Sequence, residues 1–360
     1  MIVIADDITG AAEMAGIAYR LGLRVYLSMK WEDKPDCDVL VIATDTRSMT
    51  EAEAVSETLR LASEVKGHTL FKKTDSALRG HVVAELEALL RATDYRQACY
   101  LPANPSKGRV IRNGIYYIQN KNAEGKVTER PLHETDFSFD PEFPAISSCL
   151  AERFPQAQEK NIHWTDATTT EDIRQVVATA DEKTLLAGAA DLFTAFLYQR
   201  FHHLQPREQA YSINKHDILV VCGSTQSKPV DIGAPIAYMP TAVYDGKAPV
   251  EEWISPVTST YQQHHRLILA LKDHHRTGKE SAVYLRETMA EAVSSLTAVH
   301  RPQELIIEGG ASAFAILRKL NWQSFTITDE IAPGVIRMQS TLGTSITMKP
   351  GSYPWGGLFQ

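Results

Sequence analysis

The sequence predicts an α/β protein of two domains, each a largely parallel sheet flanked by helices. Short apolar runs alternate with longer helical patterns, as in chains that place helices on both faces of a parallel sheet. At 360 residues the chain exceeds the roughly 250–300 at which a single core usually splits. A polar, weakly patterned stretch from His202 to Asp217 divides it, giving a first domain over 1–205 and a second over 213–360.

The elements follow in order. Ile2–Ala5 reads as a buried strand, and Thr9–Leu21 as a helix stopped by Gly22. Arg24–Ser28 and Val39–Thr44 read as strands. Thr50-Glu51-Ala52-Glu53 is a capping box that opens a helix to about residue 65. Thr69–Lys73 is a strand, His81–Arg91 a helix and Ala98–Leu101 a strand. The rhythm breaks over residues 108–160. Arg109–Gln119 and Lys126–Arg130 flank Asn120-Lys121-Asn122-Ala123-Glu124-Gly125, which predicts a hairpin or an excursion. Phe139 to Pro144 is loop chemistry. A helix near 170–180, a strand at Thr184–Ala187 and a helix at Ala190–Phe201 complete the first domain. In the second, strands are expected at Ile218–Cys222, Ala242–Tyr244, Ala282–Leu285 and Leu305–Glu308. Helices are expected near 260–275, 286–299 and 311–320.

Composition narrows the function classes. Hydrophobic residues are 44% and charged residues 22%, which excludes global disorder. A net charge of -7 gives no electrostatic case for non-specific nucleic-acid binding. Cys37, Cys99, Cys149 and Cys222 lie far apart with no C-x-x-C pair, against a zinc ribbon or disulfide framework. No apolar run approaches the ~18 residues of a membrane span, and the amino terminus lacks a basic leader region. The expectation is a cytoplasmic protein that binds no membrane.

Ligands of open parallel sheets bind beyond the carboxyl ends of the strands. The polar residues of the first domain gather there: Asp6-Asp7-Ile8-Thr9-Gly10, Thr44-Asp45-Thr46-Arg47-Ser48, Lys72-Lys73-Thr74-Asp75-Ser76 with Arg79, and Pro102-Ala103-Asn104-Pro105. Strand ends are also polar because they meet solvent, but four such ends point to a site for a small polyhydroxylated acid. Cations would pair its carboxylate and aspartates would accept from its hydroxyls. Adjacent Asp6-Asp7 lacks the D-x-D spacing of an aspartyl-phosphate phosphatase, and one of the two is expected to cap the helix at Thr9. Alternation along a strand lets only one of Lys72 and Lys73 face the pocket. The other is expected to be solvated or paired.

The second domain has two glycine-bearing turns after strands, Cys222-Gly223-Ser224-Thr225 and Glu308-Gly309-Gly310-Ala311-Ser312. Such turns admit close backbone approach, and a helix N-terminus favours anions. Neither matches G-x-x-x-x-G-K-[ST], and no G-x-G-x-x-G occurs, which disfavours a Walker nucleotidase and a standard dinucleotide fold such as a dehydrogenase. His264-His265 and His274-His275 lie in a polar stretch and read as surface histidines, so no side chain is assigned to a metal. Lys349-Pro350-Gly351-Ser352-Tyr353 reads either as a phosphate-facing loop or as a chain-end turn.

Taken together, these segments resemble the four-carbon acid sugar kinases over nearly the whole chain. Ala5 to Ala11 is similar to the family's opening motif, and Thr44-Asp45-Thr46-Arg47 to its arginine-bearing strand end. Lys72 to Gly80 resembles its K-x-D-S-x-L-R-G segment. Pro102-Ala103-Asn104-Pro105, Gly108-Arg109 and Glu134-Thr135-Asp136 also fit. The resemblance implies phosphorylation of the 4-hydroxyl of D-threonate, D-erythronate or 3-oxo-tetronate with ATP and Mg²⁺, in a cleft between a sugar-acid domain and a nucleotide domain. It implies substrate contacts from Asp7, Arg47, Lys73, Thr74, Asp75, Ser76 and Arg79, with Asp75 or Asp7 orienting the hydroxyl and accepting its proton. ATP would meet Ser224, Gly309, Gly310, Ala311, Ser312 and Gly351. Two departures stand out: Ala311-Ser312 replaces the acid and threonine of the family's G-G-[DE]-T-A turn, and Lys349-Pro350-Gly351-Ser352-Tyr353-Pro354 replaces K-S-G-N-F-G. They motivate an alternative, a catalytically decayed sugar-acid-binding protein of the same fold. The partners expected are the acid and ATP, with a homo-oligomer compatible and nucleic acid excluded.

Overall fold

The computed structural model describes residues 1–32, 35–121, 125–140, 143–208, 211–223, 229–351 and 353–359. The chain begins β1 (Ile2–Ala5), α1 (Ile8–Arg20), β2 (Val25–Ser28), β3 (Val39–Ala43), α2 (Glu51–Glu64), β4 (Leu70–Lys73), α3 (Val82–Ala92) and β5 (Gln97–Leu101). An excursion follows with β6 (Arg109–Arg112), β7 (Ile115–Lys121), β8 (Val127–Pro131) and α4 (Leu150–Arg153). Then come β9 (Ile162–His163), α5 (Thr170–Thr179), β10 (Thr184–Gly188) and α6 (Ala190–Arg200). The second half comprises β11 (Ile218–Cys222), β12 (Ile236–Tyr238), α7 (Thr241–Tyr244), α8 (Glu251–His264), β13 (Arg266–Ala270), α9 (Lys279–Val299), β14 (Glu304–Glu308), α10 (Gly310–Lys319), β15 (Ser324–Ala332), β16 (Val335–Ser340) and β17 (Ser345–Lys349).

A mixed α/β architecture with a mostly parallel sheet is what the sequence predicts. The two halves share one sheet of 14 strands in the order β12-β13-β11-β14-β17-β16-β15-β2-β3-β1-β4-β10-β5-β9. Only β17-β16, β16-β15 and β15-β2 pair antiparallel. The central strands are uninterrupted apolar runs such as Ile2-Val3-Ile4-Ala5 and Val39-Leu40-Val41-Ile42-Ala43, buried at every position because helices cover both faces. Between β14 and β1 lie six neighbour steps and three reversals. A twist of about 20–25° per step accumulates to roughly 120–150°. Added to the reversal, it turns the carboxyl ends of β14 and β1 toward a common side.

The structure corrects several expectations. The apolar run Arg266–Ala270 is a buried strand rather than part of a helix near 260–275, since periodicity cannot separate a short buried strand from a helix segment. Ala282–Leu285 is the second turn of α9, whose buried Leu285, Met289, Val293 and Leu296 recur at helical spacing. Ala242–Tyr244 is a helical turn, and the edge strand is β12 instead. Strands β6, β7 and β8 pair antiparallel in that order, so the excursion carries three strands rather than a single hairpin. Its first turn is Asn113-Gly114, both at positive φ (52° and 70°), the geometry a two-residue hairpin loop demands. Asn122 to Glu124 lie outside the described residues. The strands β15 to β17, absent from the expectations, join the halves. The capping box of Thr50 with Glu53 forms as expected, and the structure adds a second, Thr169 with Asp172.

Candidate active site

A cleft of about 630 Å³ opens at the carboxyl ends of β1, β3 and β4. The first half contributes Asp7, Arg47, Lys73, Asp75, Ser76 and Arg79 to its walls. Gly334, Pro350 and Tyr353 of the second half close it. A second cavity of about 510 Å³, lined by Leu70, Tyr95 and Thr184, sits at the opposite, amino ends of the strands and holds none of the predicted groups.

The cleft is organised by alternating charge. Asp7 is the N-cap of α1, its carboxylate accepting from Gly10 N (2.7 Å) and Thr9 Oγ1 (2.6 Å). Arg47 donates from Nε and Nη2 to both oxygens of the buried Asp6 (2.9 Å each) and from Nη1 to Asp7 (3.0 Å). Its Nη1 is also 3.5 Å from Asp75. Arg79 grips Asp75 with Nε and Nη2 (2.9 Å each) and reaches Asp140 with Nη1 (3.1 Å). Asp75 further accepts from Ala77 N. Burial pushes the Asp7 carboxyl up, but Arg47, Lys73 and the two capping hydrogen bonds outweigh it and hold the group below its ordinary value. At Asp75 burial is likewise outweighed, by Arg47, Arg79 and Lys73, and the group lies far below the usual carboxylate range.

Strand alternation sorts the lysines. Lys73 lines the cleft, donating to Thr74 O (2.8 Å) with Glu13 at 3.7 Å. Lys72 points the other way and is buried against Glu85, which also accepts from Thr46. It is thus paired rather than solvated. Thr74 is buried outside the cleft walls, its Oγ1 without a hydrogen-bond partner. Ser76 lines the cleft and its Oγ accepts from Arg109 Nη1 (3.0 Å).

Sequence reasoning assigned no site role to several lining residues: Glu13, Arg109, Asp136, Phe137, Phe139 and Asp140. Glu13 sits on α1 one helical turn beyond Gly10 and pairs with Lys107, a helical spacing that could have signalled it. Arg109 is distinctive. Among the described residues no carboxylate pairs with it, and its Nε is buried without a partner. Asp136 to Asp140 belong to a 3₁₀ turn of the excursion, which carries no periodic signal.

On the second-half side, Gly309 holds φ 100°, a conformation that favours glycine, and caps α10. A Cβ on Gly310 would stand 2.3 Å from Thr9 Cγ2, so the amino ends of α10 and α1 touch there. A Cβ on Gly223 would stand 2.2 Å from Ser312 Oγ, which brings the two glycine turns together as well. Ser312 is buried and Ala311 exposed. Lys349 is buried against Glu308 and donates to Pro350 O (3.2 Å) and Gly351 O (3.1 Å), fixing the Gly351 loop beside the turn. Ser224 lies outside the described residues.

Residues 1–184 match a sugar-binding N-terminal domain family and residues 240–353 a nucleotide-binding C-terminal domain family. The chain belongs to the four-carbon acid sugar kinase family that carries this pair of domains. It is 26% identical to the D-threonate kinase of Salmonella typhimurium, over 92% of this chain and 89% of that one. A 3-oxo-tetronate kinase of Pseudomonas fluorescens is 33% identical over 144 residues, 36% of this chain and 33% of the relative. Solved structures from Salmonella typhimurium (TM-score 0.75, 18% identity, 99% of this chain and 97% of that one) and Haemophilus influenzae (TM-score 0.69, 19% identity, 100% and 98%) share the fold. Among the described residues no helix is long and apolar enough to cross a membrane.

Proposed function

We propose that this sugar-acid kinase transfers the γ-phosphoryl group of ATP to the terminal (4-) hydroxyl of a four-carbon sugar acid such as D-threonate or D-erythronate. Residues 1–205 hold the acid and residues 213–360 the nucleotide. The observation that carries the reading is Arg109: a cation lining the cleft that no carboxylate pairs with among the described residues. An incoming carboxylate would supply its missing charge partner. Arg47, by contrast, already spends its guanidinium on Asp6 and Asp7. Its role is to hold the acidic wall that meets the substrate hydroxyls. Lys73, Ser76 and Arg79 complete the contacts.

Phosphoryl transfer relies on positioning and charge neutralisation more than on a strong base. Asp75 has both oxygens engaged by Arg79 and positions the substrate. Asp7 is engaged on both oxygens too, but its Oδ1 accepts from Gly10 N alone and no arginine grips it with two donors, as Arg79 grips Asp75. We assign it to orient the hydroxyl and take its proton. The N-terminus of α10, with Gly309, Gly310 and Ala311, supplies backbone N–H groups to the phosphates. Ser312 supports that turn from beneath and Gly351 lies beside it; Ser224 is kept as a nucleotide contact on the family resemblance alone. Bound Mg²⁺ supplies charge neutralisation to the nucleotide. Glu308 precedes the turn with a buried Oε2 that has no hydrogen-bond partner among the described residues, and it would be the oxygen donor to the ion on that side.

Ala311 leaves the turn without an acidic side chain, the observation behind the second reading, a sugar-acid binder that has lost catalysis. ADP release measured with ATP, Mg²⁺ and a panel of four-carbon sugar acids separates the two. The kinase reading expects turnover with at least one acid. In Arg109→Ala, KM for that acid rises about ten- to a hundredfold while KM for ATP stays unchanged. Calorimetry that detects acid binding but no Mg-ATP binding favours the second reading.

A further inference from the structure

Far from the cleft, three side chains meet at the amino edge of the second-half sheet. Asp217 immediately precedes β11, His265 links α8 to β13, and His300 follows α9. One ligand atom from each lies within 4.8 Å of the others. We propose that Asp217, His265 and His300 form a binding site for a divalent transition-metal ion of the Zn²⁺ class, with solvent in the fourth position.

The donor set favours this class. Two imidazoles and one carboxylate suit zinc and its neighbours and disfavour Mg²⁺, which takes oxygen ligands. Tetrahedral bonds of about 2.0–2.2 Å set ligand atoms roughly 3.3–3.6 Å apart. Asp217 Oδ2 and His300 Nε2 stand at 3.4 Å, close to that spacing. His265 is exposed, so rotation of its ring closes the remaining distance.

An outer layer is in place. The buried Tyr261 donates its hydroxyl to Asp217 Oδ1 (2.6 Å), leaving Oδ2 turned to His300. Such partners orient metal-binding carboxylates. The Tyr261 ring packs edge-on against both imidazoles, at 6.4 Å and 5.4 Å between centroids. The backbone is equally fixed. Ile218 N donates to His265 O (2.9 Å), Glu304 N to Asp217 O (3.1 Å) and His265 N to Tyr261 O (2.7 Å). His265 is held at φ 53°, a left-handed conformation uncommon outside glycine, which turns the chain sharply from α8 into β13. A bound ion would pin three loops of one sheet edge. The phosphate turn lies at the other end of β14, a strand of five residues and so about 17 Å away. The ion is therefore structural and takes no part in phosphoryl transfer.

The test is titration of the full-length, chelator-stripped protein with Zn²⁺ near neutral pH, followed by calorimetry and by the melting temperature. Co²⁺ serves as a spectroscopic probe of nitrogen ligation. One equivalent of metal, a raised melting temperature and Co²⁺ d–d bands are expected. His300→Ala and His265→Asn should abolish all three, the asparagine chosen because it tolerates the left-handed backbone. Tyr261→Phe should weaken affinity about 10–100-fold. His264→Ala, beside the cluster, should leave binding intact. No stoichiometric binding by the wild type, or binding that survives both histidine variants, overturns the proposal. Should either variant fail to fold by circular dichroism, Asp217→Asn gives the same readout.

Discussion

Replacing Arg47 by methionine keeps much of the side-chain volume and deletes the charge at the centre of the acidic wall. Three carboxylates then lose their shared partner: Asp6 at 2.9 Å, Asp7 at 3.0 Å and Asp75 at 3.5 Å. Arg47 is 14% exposed, and the three acids 3%, 19% and 10%, so water replaces little of what is lost. Removing one partner from such a buried network is expected to cost about 3–5 kcal/mol, a large part of the roughly 5–15 kcal/mol that holds a domain folded. The sign with pH follows from the carboxyls. Asp7 and Asp75 titrate below 3.8 in the folded protein, so the stability they contribute is present above that value and lost as pH falls through their folded values. Without Arg47, burial pushes both upward, opposed at Asp7 by Lys73 and the two capping hydrogen bonds and at Asp75 by Arg79 and Lys73. The deficit of Arg47→Met is therefore greatest at neutral pH and shrinks below about pH 4, where the unfolded chain also carries protons. Urea unfolding of both proteins at about pH 7 and about pH 3 measures it. A difference under about 1 kcal/mol at pH 7, or one that does not shrink in acid, refutes the assignment of Arg47 to the wall.

Asp7→Asn should lower kcat about a hundredfold or more while the protein stays folded, because asparagine caps a helix as well as aspartate. If Asp75→Asn gives the larger loss in kcat and Asp7→Asn only raises KM, the proton acceptor is Asp75. Lys72→Met leaves Glu85 buried without its charge partner and should cost about 3–5 kcal/mol in a chemical melt, whereas the double change Lys72→Met with Glu85→Leu should recover most of it. Gly310→Ala should destabilise the protein and impair ATP binding through contact with the Thr9 methyl, and Thr9→Ser should restore both if that contact is the cause.

The first half was legible in the sequence because its strands are short, apolar and bounded by turn residues. Its site was legible because parallel sheets collect their chemistry at one edge. Asp6-Asp7, Arg47 and Lys73 to Arg79 could be placed on that rim with no structure. Their pairings could not. That Asp7 caps α1 while Asp6 locks Arg47 depends on which way each side chain turns as the strand ends. Arg109 went unassigned because it enters from an excursion whose path to the cleft is set by tertiary contacts, among them Tyr116 Oη donating to Ser76 O. In the second half the errors share one cause. Arg266–Ala270 and Ala282–Leu285 are both short apolar runs, and only their neighbours in space make one a strand and the other a helix. Strand β15 alternates imperfectly because both of its faces are covered, and so gives a weak signal.

The two departures from the family pattern fall on side chains, whereas the features the phosphate turn needs belong to the backbone. Gly309 keeps its positive φ, Gly310 keeps the missing Cβ that lets α10 abut Thr9, and Gly223 keeps the space that Ser312 fills. Pro350 interrupts the C-terminal loop, yet its carbonyl and that of Gly351 still accept from Lys349, itself anchored on Glu308. The φ of 100° at Gly309 is one that glycine adopts freely, so the backbone of the turn meets the needs of the proposed phosphate site without an acidic side chain. Thr9 is the hinge of the argument, since it donates to the proposed base Asp7 on one side and packs against the phosphate turn on the other. In the proposed kinase, acid and nucleotide would meet on the two sides of this single residue. In-line transfer needs that proximity, and the twist of the shared sheet brings the two rims together for it.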